Sequence, residues 1–437
     1  MGIYLIDTFG NEVLLHAEGP GCYDPKPLRP QARPNVIPSR RNFDNGDGRM
    51  YVVNVYEGTH MAGVAPGTVK YLRVVETPEK RSWNYYPWGG QGTEWPAMNW
   101  HDFNNERILG TVPVEQDGSV FFTLPAERFV YFQLLDEKGM MVQSMRSGTI
   151  VQSGEITGCI GCHDDRRTAP LVATSKMPLA LQREPSRLDG WYGEPRFFSY
   201  MREVQPVFDR SCVRCHDYGK PAGEKLNLAP DRTLTFNTSY MELWLKKIIA
   251  SIGAGPSDIQ QPYSWGSHRS RLIGALLGVH HGVEIDRESF DRLVTWIDIN
   301  APYYPVYETA YPDNLAGRSP LDDAQLLRLT ELTGVPFAEL AAFDKSRGPE
   351  ISFDRPELSP CLSAFADTTV AAYREALAII EAGRKKLSET PRADMDGFRP
   401  CMIDKLRNDK YLLRRQIELR NREAIRNGVK VYDEKVR

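Results

Sequence analysis

The chain has 437 residues, with 54 Lys and Arg against 57 Asp and Glu and a formal net charge of −3. That balance gives no general reason to expect binding to nucleic acid or to a membrane surface. No apolar run reaches the roughly 18 residues of a membrane-spanning helix, and the length exceeds one ordinary domain.

Residues 1–16 read as a hairpin, with Ile3-Tyr4-Leu5-Ile6 and Val13-Leu14-Leu15 as strands and Phe9-Gly10-Asn11 as the turn. No core follows to cover it. Residues 19–38 are rich in Pro and Gly and read as a linker or extended arm, so residues 1–50 are expected to be the end of a preceding domain plus a linker.

Residues 51–157 are expected to form a β-rich middle domain. Runs 69–75, 108–114, 119–124, 129–135 and 141–146 read as strands, with Val120, Phe122 and Leu124 on one face. Asp117-Gly118 is a hairpin signal between the second and third of these runs. Short strands at this spacing suggest a β-sandwich, interrupted by an aromatic-rich insertion from Trp83 to Trp100.

At about residue 158 the period changes. Two stretches here carry chemistry: Cys159-Ile160-Gly161-Cys162-His163 and Cys212-Val213-Arg214-Cys215-His216. Each is Cys-x-x-Cys-His, the attachment pattern of c-type haem. Two thiols add across the two vinyl groups of one porphyrin, and the adjacent His reaches the iron. With seven Cys and eight His in the chain, about 0.002 matches are expected by chance. A Cys₄ zinc site built from the two pairs is the competing reading. It leaves the His after each pair unexplained, and the gap between pairs is longer than a zinc ribbon uses.

Around the second motif, Pro206 opens a helix ending near Cys212, and 240–249 and 267–277 read as helices. Asp286 caps the clearest one, in which Phe290, Leu293, Val294 and Ile297 recur at i, i+3, i+4 and i+7. Residues 158–310 are therefore expected to be an all-α, dihaem cytochrome c-like domain. Beyond lie helices at 322–333, 369–385 and 402–426, a helical C-terminal region spanning 311–437. Its last segment, 401–437, is locally basic and reads as a solvated amphipathic helix.

Haem attachment of this type takes place outside the cytoplasm, so the protein is expected to be periplasmic or otherwise extracytoplasmic. The first residues carry no basic n-region and no long apolar h-region, which points to a fragment whose true start lies upstream. Haem uses four thiols and leaves Cys22, Cys361 and Cys401; the last two can pair, leaving Cys22 odd.

The sixth ligand decides the chemistry of each iron. His16 and His60 read as ordinary surface or loop residues, and His101 follows the Trp-rich insertion. His268, His280 and His281 flank an apolar helix downstream of the second motif, and one of them is expected to be the distal ligand there. His280 or His281 is preferred because their loop enters the Asp286 helix. Arg269 and Arg271 are candidate propionate partners. Met140, Met141 and Met145 lie near the first motif but on strands, so the first iron is expected to have an open position.

Several stretches in order resemble the hydrazine synthase alpha-subunit family. They are Gly110 to Ser119, Gln143 to Ser147, Gly154-Glu155, the first Cys-x-x-Cys-His motif with Gly158, Pro206 to Asp209, the second motif, Trp265 to Ser270 and Trp296-Ile297-Asp298. The resemblance covers about residues 50–310. It implies a β-propeller ahead of the middle domain, with Gly2 to His16 as its tail, two haem c groups, an extracytoplasmic location and assembly with other cytochrome subunits. Hydrazine-forming members have a Tyr just after the first motif; this sequence has Asp164-Asp165-Arg166-Arg167 there.

The fold expected is thus multidomain α+β: a β-sandwich-like middle domain, a cytochrome c-like haem domain and C-terminal helices. The function expected is electron transfer by a dihaem c-type protein, with other redox proteins or cytochrome subunits as partners. The alternative is a haem enzyme acting on a small nitrogen or oxygen species at the first haem.

Overall fold

The structure is a computed structural model that describes residues 2–26, 28–30, 41–81, 105–162, 176–252, 260–337 and 349–429. The chain divides into two compact units, Met1–Arg40 and Arg41–Arg437. In the first, β1 (Gly2–Ile6) and β2 (Glu12–Ala17) pair antiparallel as the hairpin expected from sequence. Asp7 closes its turn by accepting from the Phe9 and Asn11 amides.

The second unit opens with seven strands in two sheets. β3 (Asp47–Val52) lies between β6 (Val120–Pro125) and β9 (Ile156–Cys159), antiparallel to the former and parallel to the latter. The other sheet has the order β5 (Arg107–Pro113), β4 (Tyr71–Glu76), β7 (Val130–Leu135), β8 (Met141–Ser144). One apolar core joins the two, with Met50, Val52, Val120, Phe122 and Leu124 facing Leu72, Val74, Val112, Phe132 and Leu134. Phe122 and Phe132 meet edge to face at 5.6 Å. This is the sandwich that the alternating pattern predicted.

The four-stranded sheet is buried on both sides, so β4 is buried on both faces from Leu72 to Glu76, Arg73 included. Leu72 and Val74 face the sandwich core, whereas Val75 joins a second core with Ile108 and the helices. The molecule is therefore layered sheet, sheet, helix in this region.

The hairpin expected at Asp117-Gly118 is not one. The turn forms, with the Glu115 amide donating to the Ser119 carbonyl at 2.9 Å. But β5 pairs with β4 and β6 with β3, so the turn carries the chain from one sheet to the other. Each strand pairs with one from elsewhere in the chain, and a local turn signal cannot report that.

The helical layer contains α1 (Tyr200–Glu203), α2 (Gln205–Ser211), α3 (Pro221–Lys225), α4 (Thr238–Leu245), α5 (Arg271–Leu277) and α6 (Arg287–Asp298). Asp286 caps α6 as expected, accepting from the Ser289 amide at 2.8 Å. The core here is aromatic: Tyr200 packs on Trp296 and Tyr240, each at 5.1 Å, and on Tyr303 at 5.4 Å. α7 (Asp323–Thr333) and α8 (Ala371–Glu389) enclose a third core with Leu321, Ile351 and Phe353. α9 (Met402–Arg426) is largely exposed and is tied down by Arg422, which donates to Glu127 at 2.8 Å.

A polar seam joins the sandwich to the helices. Arg73, buried on β4, donates to Gln133 at 3.1 Å and to Thr295 of α6 at 2.8 Å. Asp298 at the end of α6 accepts from the Met141 and Ser267 amides. Burial pushes the Asp298 carboxyl up to about 6 despite Arg73 nearby.

The pairing of Cys361 with Cys401 does not occur. Cys361 is a free thiol inside the third core, and Cys401 is a free thiol at the entrance to α9. Among the described residues no helix is long and apolar enough to cross a membrane.

Candidate functional site

The first motif begins on a strand. Cys159 is the last residue of β9 and lies opposite Val52 in the parallel ladder, so the boundary expected at 157/158 falls inside this strand. The chain then turns tightly against the loop after β3: the Asn54 amide donates to Ile160, and the Cys162 amide donates to Glu57 at 2.8 Å. Gly161 is needed there, because a Cβ would lie 2.5 Å from the Glu57 carbonyl oxygen. Cys159 and Cys162 are half-buried and pack on the sandwich core, as does Met145. Met140 and Met141 are buried in the cores beneath the helices. His163, the motif histidine, lies outside the described residues, and so does His101.

The second motif leaves α2 directly. The Cys212 and Val213 amides donate back to Phe208, and those of Cys215 and His216 donate to Cys212 at 3.0 and 2.9 Å, so the motif is one helical turn. This places the two thiols and the imidazole on one short arc. Cys212 is half-buried and Cys215 exposed. Burial, with Cys215 beside it, pushes the Cys212 thiol up to about 11.

His216 is oriented from behind. Its Nδ1 lies 2.9 Å from the Leu226 carbonyl. A carbonyl only accepts, so Nδ1 carries the proton and Nε2 keeps a free lone pair, the arrangement metal-binding histidines use. The loop bearing Leu226 is short because α3 packs on Asp217. A Cβ on Gly223 would sit 1.9 Å from the Asp217 carbonyl oxygen.

Across from His216 stands His280. Their ring centroids are 6.1 Å apart and their planes 24° from parallel. His281 is exposed, has a positive φ of 49°, and meets His280 at 5.0 Å. His268 is held elsewhere: its Nε2 is 3.1 Å from Asp136, and Tyr263 packs on its ring at 4.9 Å. Arg271 donates to the Lys246 carbonyl at 3.4 Å, and Arg269 is exposed. The structure thus brings together Cys212, Cys215, His216 and His280, with His281 next to them.

Sequence reasoning missed the residues that hold this turn in place. Asp217, directly after the motif, accepts from Arg355 at 2.7 Å, and the same guanidinium bonds buried Asp231. Burial works against ionising Asp217, but the Arg355 bonds and the Tyr218 amide hold its carboxyl below the usual range. Arg355 also lies 5.2 Å over the Tyr218 ring. Nothing in the spacing of Asp217, Asp231 and Arg355 announces the contact.

The four motif thiols do not gather. Among the described residues, the one cluster of three metal-donor side chains is elsewhere and contains none of them.

Comparison with known proteins is specific for one segment. Residues 67–164 match the family described as the hydrazine synthase alpha subunit middle domain. Among solved structures, Kuenenia stuttgartiensis hydrazine synthase is similar at 16% sequence identity with a TM-score of 0.47, over 60% of this chain. The chain spans 44% of the length of that one. No curated protein matches. The matched segment runs from just before β4, through the four-stranded sheet and β9, to just beyond Cys162, and it marks this chain as hydrazine synthase alpha-like in its middle domain.

Proposed function

We propose that the chain is a dihaem c-type protein that passes electrons to or from other redox proteins, at an extracytoplasmic location. The single observation that supports this best is the facing pair His216 and His280 beside Cys212 and Cys215. Cys212 and Cys215 would anchor the second porphyrin by thioethers. His216, its Nδ1 engaged by Leu226 and its Nε2 left available, and His280 would be the imidazoles that hold the iron. A haem held there supplies reversible one-electron transfer at its iron. Two imidazoles offered to one haem would suit an electron relay better than catalysis. Asp217, Arg355 and Leu226 keep the motif turn from moving, which keeps the reorganisation that accompanies a change of charge small.

Cys159 and Cys162 would anchor the first porphyrin at the rim of the sandwich. The alternative reading, an enzyme acting on a small nitrogen or oxygen species, belongs to that site and draws support from the hydrazine synthase alpha-like middle domain that ends there.

The test is a pyridine haemochrome assay combined with intact mass, on protein made in a host that matures c-type cytochromes. Two covalently added porphyrins are expected. A mass equal to the bare polypeptide ends the proposal. Carbon monoxide titration of the reduced protein then separates relay from enzyme: binding at the first iron favours the enzyme, and no binding favours relay.

A further inference from the structure

We propose that the N-terminal unit holds a zinc-type divalent cation between His16, Glu18 and Cys22. These three residues offer an imidazole nitrogen, a carboxylate oxygen and a thiol sulfur, and the three donor atoms all lie within 4.8 Å of one another. The His16 Nε2 to Glu18 Oε2 distance is 3.6 Å.

The hairpin explains how they meet. His16 is fixed near the end of β2, opposite Ile3 of β1. The strand ends at Ala17, and Gly19-Pro20-Gly21 turns the chain so that Cys22 returns to the residues it has just left. Cys22 is half-buried and carries a free thiol. It is neither in a haem motif nor in an apolar core, so neither attachment nor packing accounts for it.

The donor set selects the metal. Sulfur with nitrogen disfavours magnesium and calcium, which take oxygen ligands. A thiolate and a carboxylate supply two negative charges against a divalent cation. Three protein ligands suit tetrahedral zinc with water in the fourth position. Binding requires Cys22 to release its proton to solvent and His16 to be neutral, so affinity rises with pH. The inference is independent of the haem reading, since it uses none of the motif residues.

The test uses the full chain, haem-loaded if haem is attached, with zinc chloride as the probe. Iodoacetamide alkylation of Cys22 is followed by peptide mass mapping, which reads this thiol alone. Zinc is expected to slow Cys22 alkylation by about tenfold or more in the wild type and hardly at all in H16A or E18A. Zinc bound per chain should fall in C22S and stay unchanged in C401S. Equal protection in H16A and E18A would mean cysteine-only adventitious binding and would overturn the proposal. So would no protection in the wild type, or a Cys22 that resists alkylation without zinc because it is oxidised.

Discussion

Arg355 grips Asp217 from 138 residues away along the chain, with its two terminal nitrogens 2.7 and 3.1 Å from the two carboxylate oxygens. Asp217 is the residue after His216, so a C-terminal side chain fixes the exit of the second motif. Arg355 also satisfies Asp231, which is 1% exposed. Arg355→Ala strands that buried carboxylate. Since Arg355 itself is partly solvated, the loss is expected to be about 2 kcal/mol rather than the full cost of a deeply buried pair, measured by denaturant unfolding. Arg355→Lys should recover only part of it, because an ammonium cannot fork to both acids.

His280→Ala should open the second iron. The expected result is one more carbon monoxide-binding iron per chain than the wild type has, with loss of the low-spin signature at that haem. His281→Ala should leave both unchanged. The reverse pattern would assign the ligand to His281 and remove His280 from the site.

Glu106 gives a pH dependence with a definite sign. It is buried, accepts a hydrogen bond from Tyr131, and burial pushes its carboxyl up to about 8 from an ordinary value of 4.5. The folded state therefore binds a proton that the unfolded state has already lost between those values. Its contribution to stability is complete below about pH 4.5 and disappears as pH rises through 8. Glu106→Gln keeps an acceptor for Tyr131 without a charge. That variant should be more stable than the wild type at pH 8.5 and show a flatter unfolding free energy across the window. Equal pH slopes for the two proteins would contradict this.

Gly223→Ala tests the packing behind His216. The new methyl would overlap the Asp217 carbonyl, and backbone on both sides must shift. A loss of about 2 kcal/mol or more is expected, together with a changed absorption spectrum at the second haem, since the loop that carries Leu226 moves. Gly219→Ala, where open space surrounds the position, should leave the spectrum as it is despite a positive φ of 70°.

Local rules were legible where the cause was local. The Asp286 cap, the alternation through β6 and the 402–426 helix all stand where composition and spacing placed them. The two Cys-x-x-Cys-His motifs were equally plain. What sequence did not reveal were relationships set by distant chain. The Asp117 turn looked like a hairpin because nothing nearby says that β3 claims β6. His268 stayed a lesser candidate beside His280 and His281, and the sequence did not announce that Asp136, more than a hundred residues upstream, holds it. Arg355 was one of 54 basic residues, with no mark to distinguish it.

Arg73 sits between the sandwich that carries one thiol pair and the helices that carry the other. A buried guanidinium bonded to Gln133 on one side and Thr295 on the other has no water to replace a lost partner. Neither half can swell away from its neighbour without stranding that charge. On heating, the region bearing both pairs should therefore melt as one cooperative block, and damage on the sandwich side should be felt at the helical side before either comes apart.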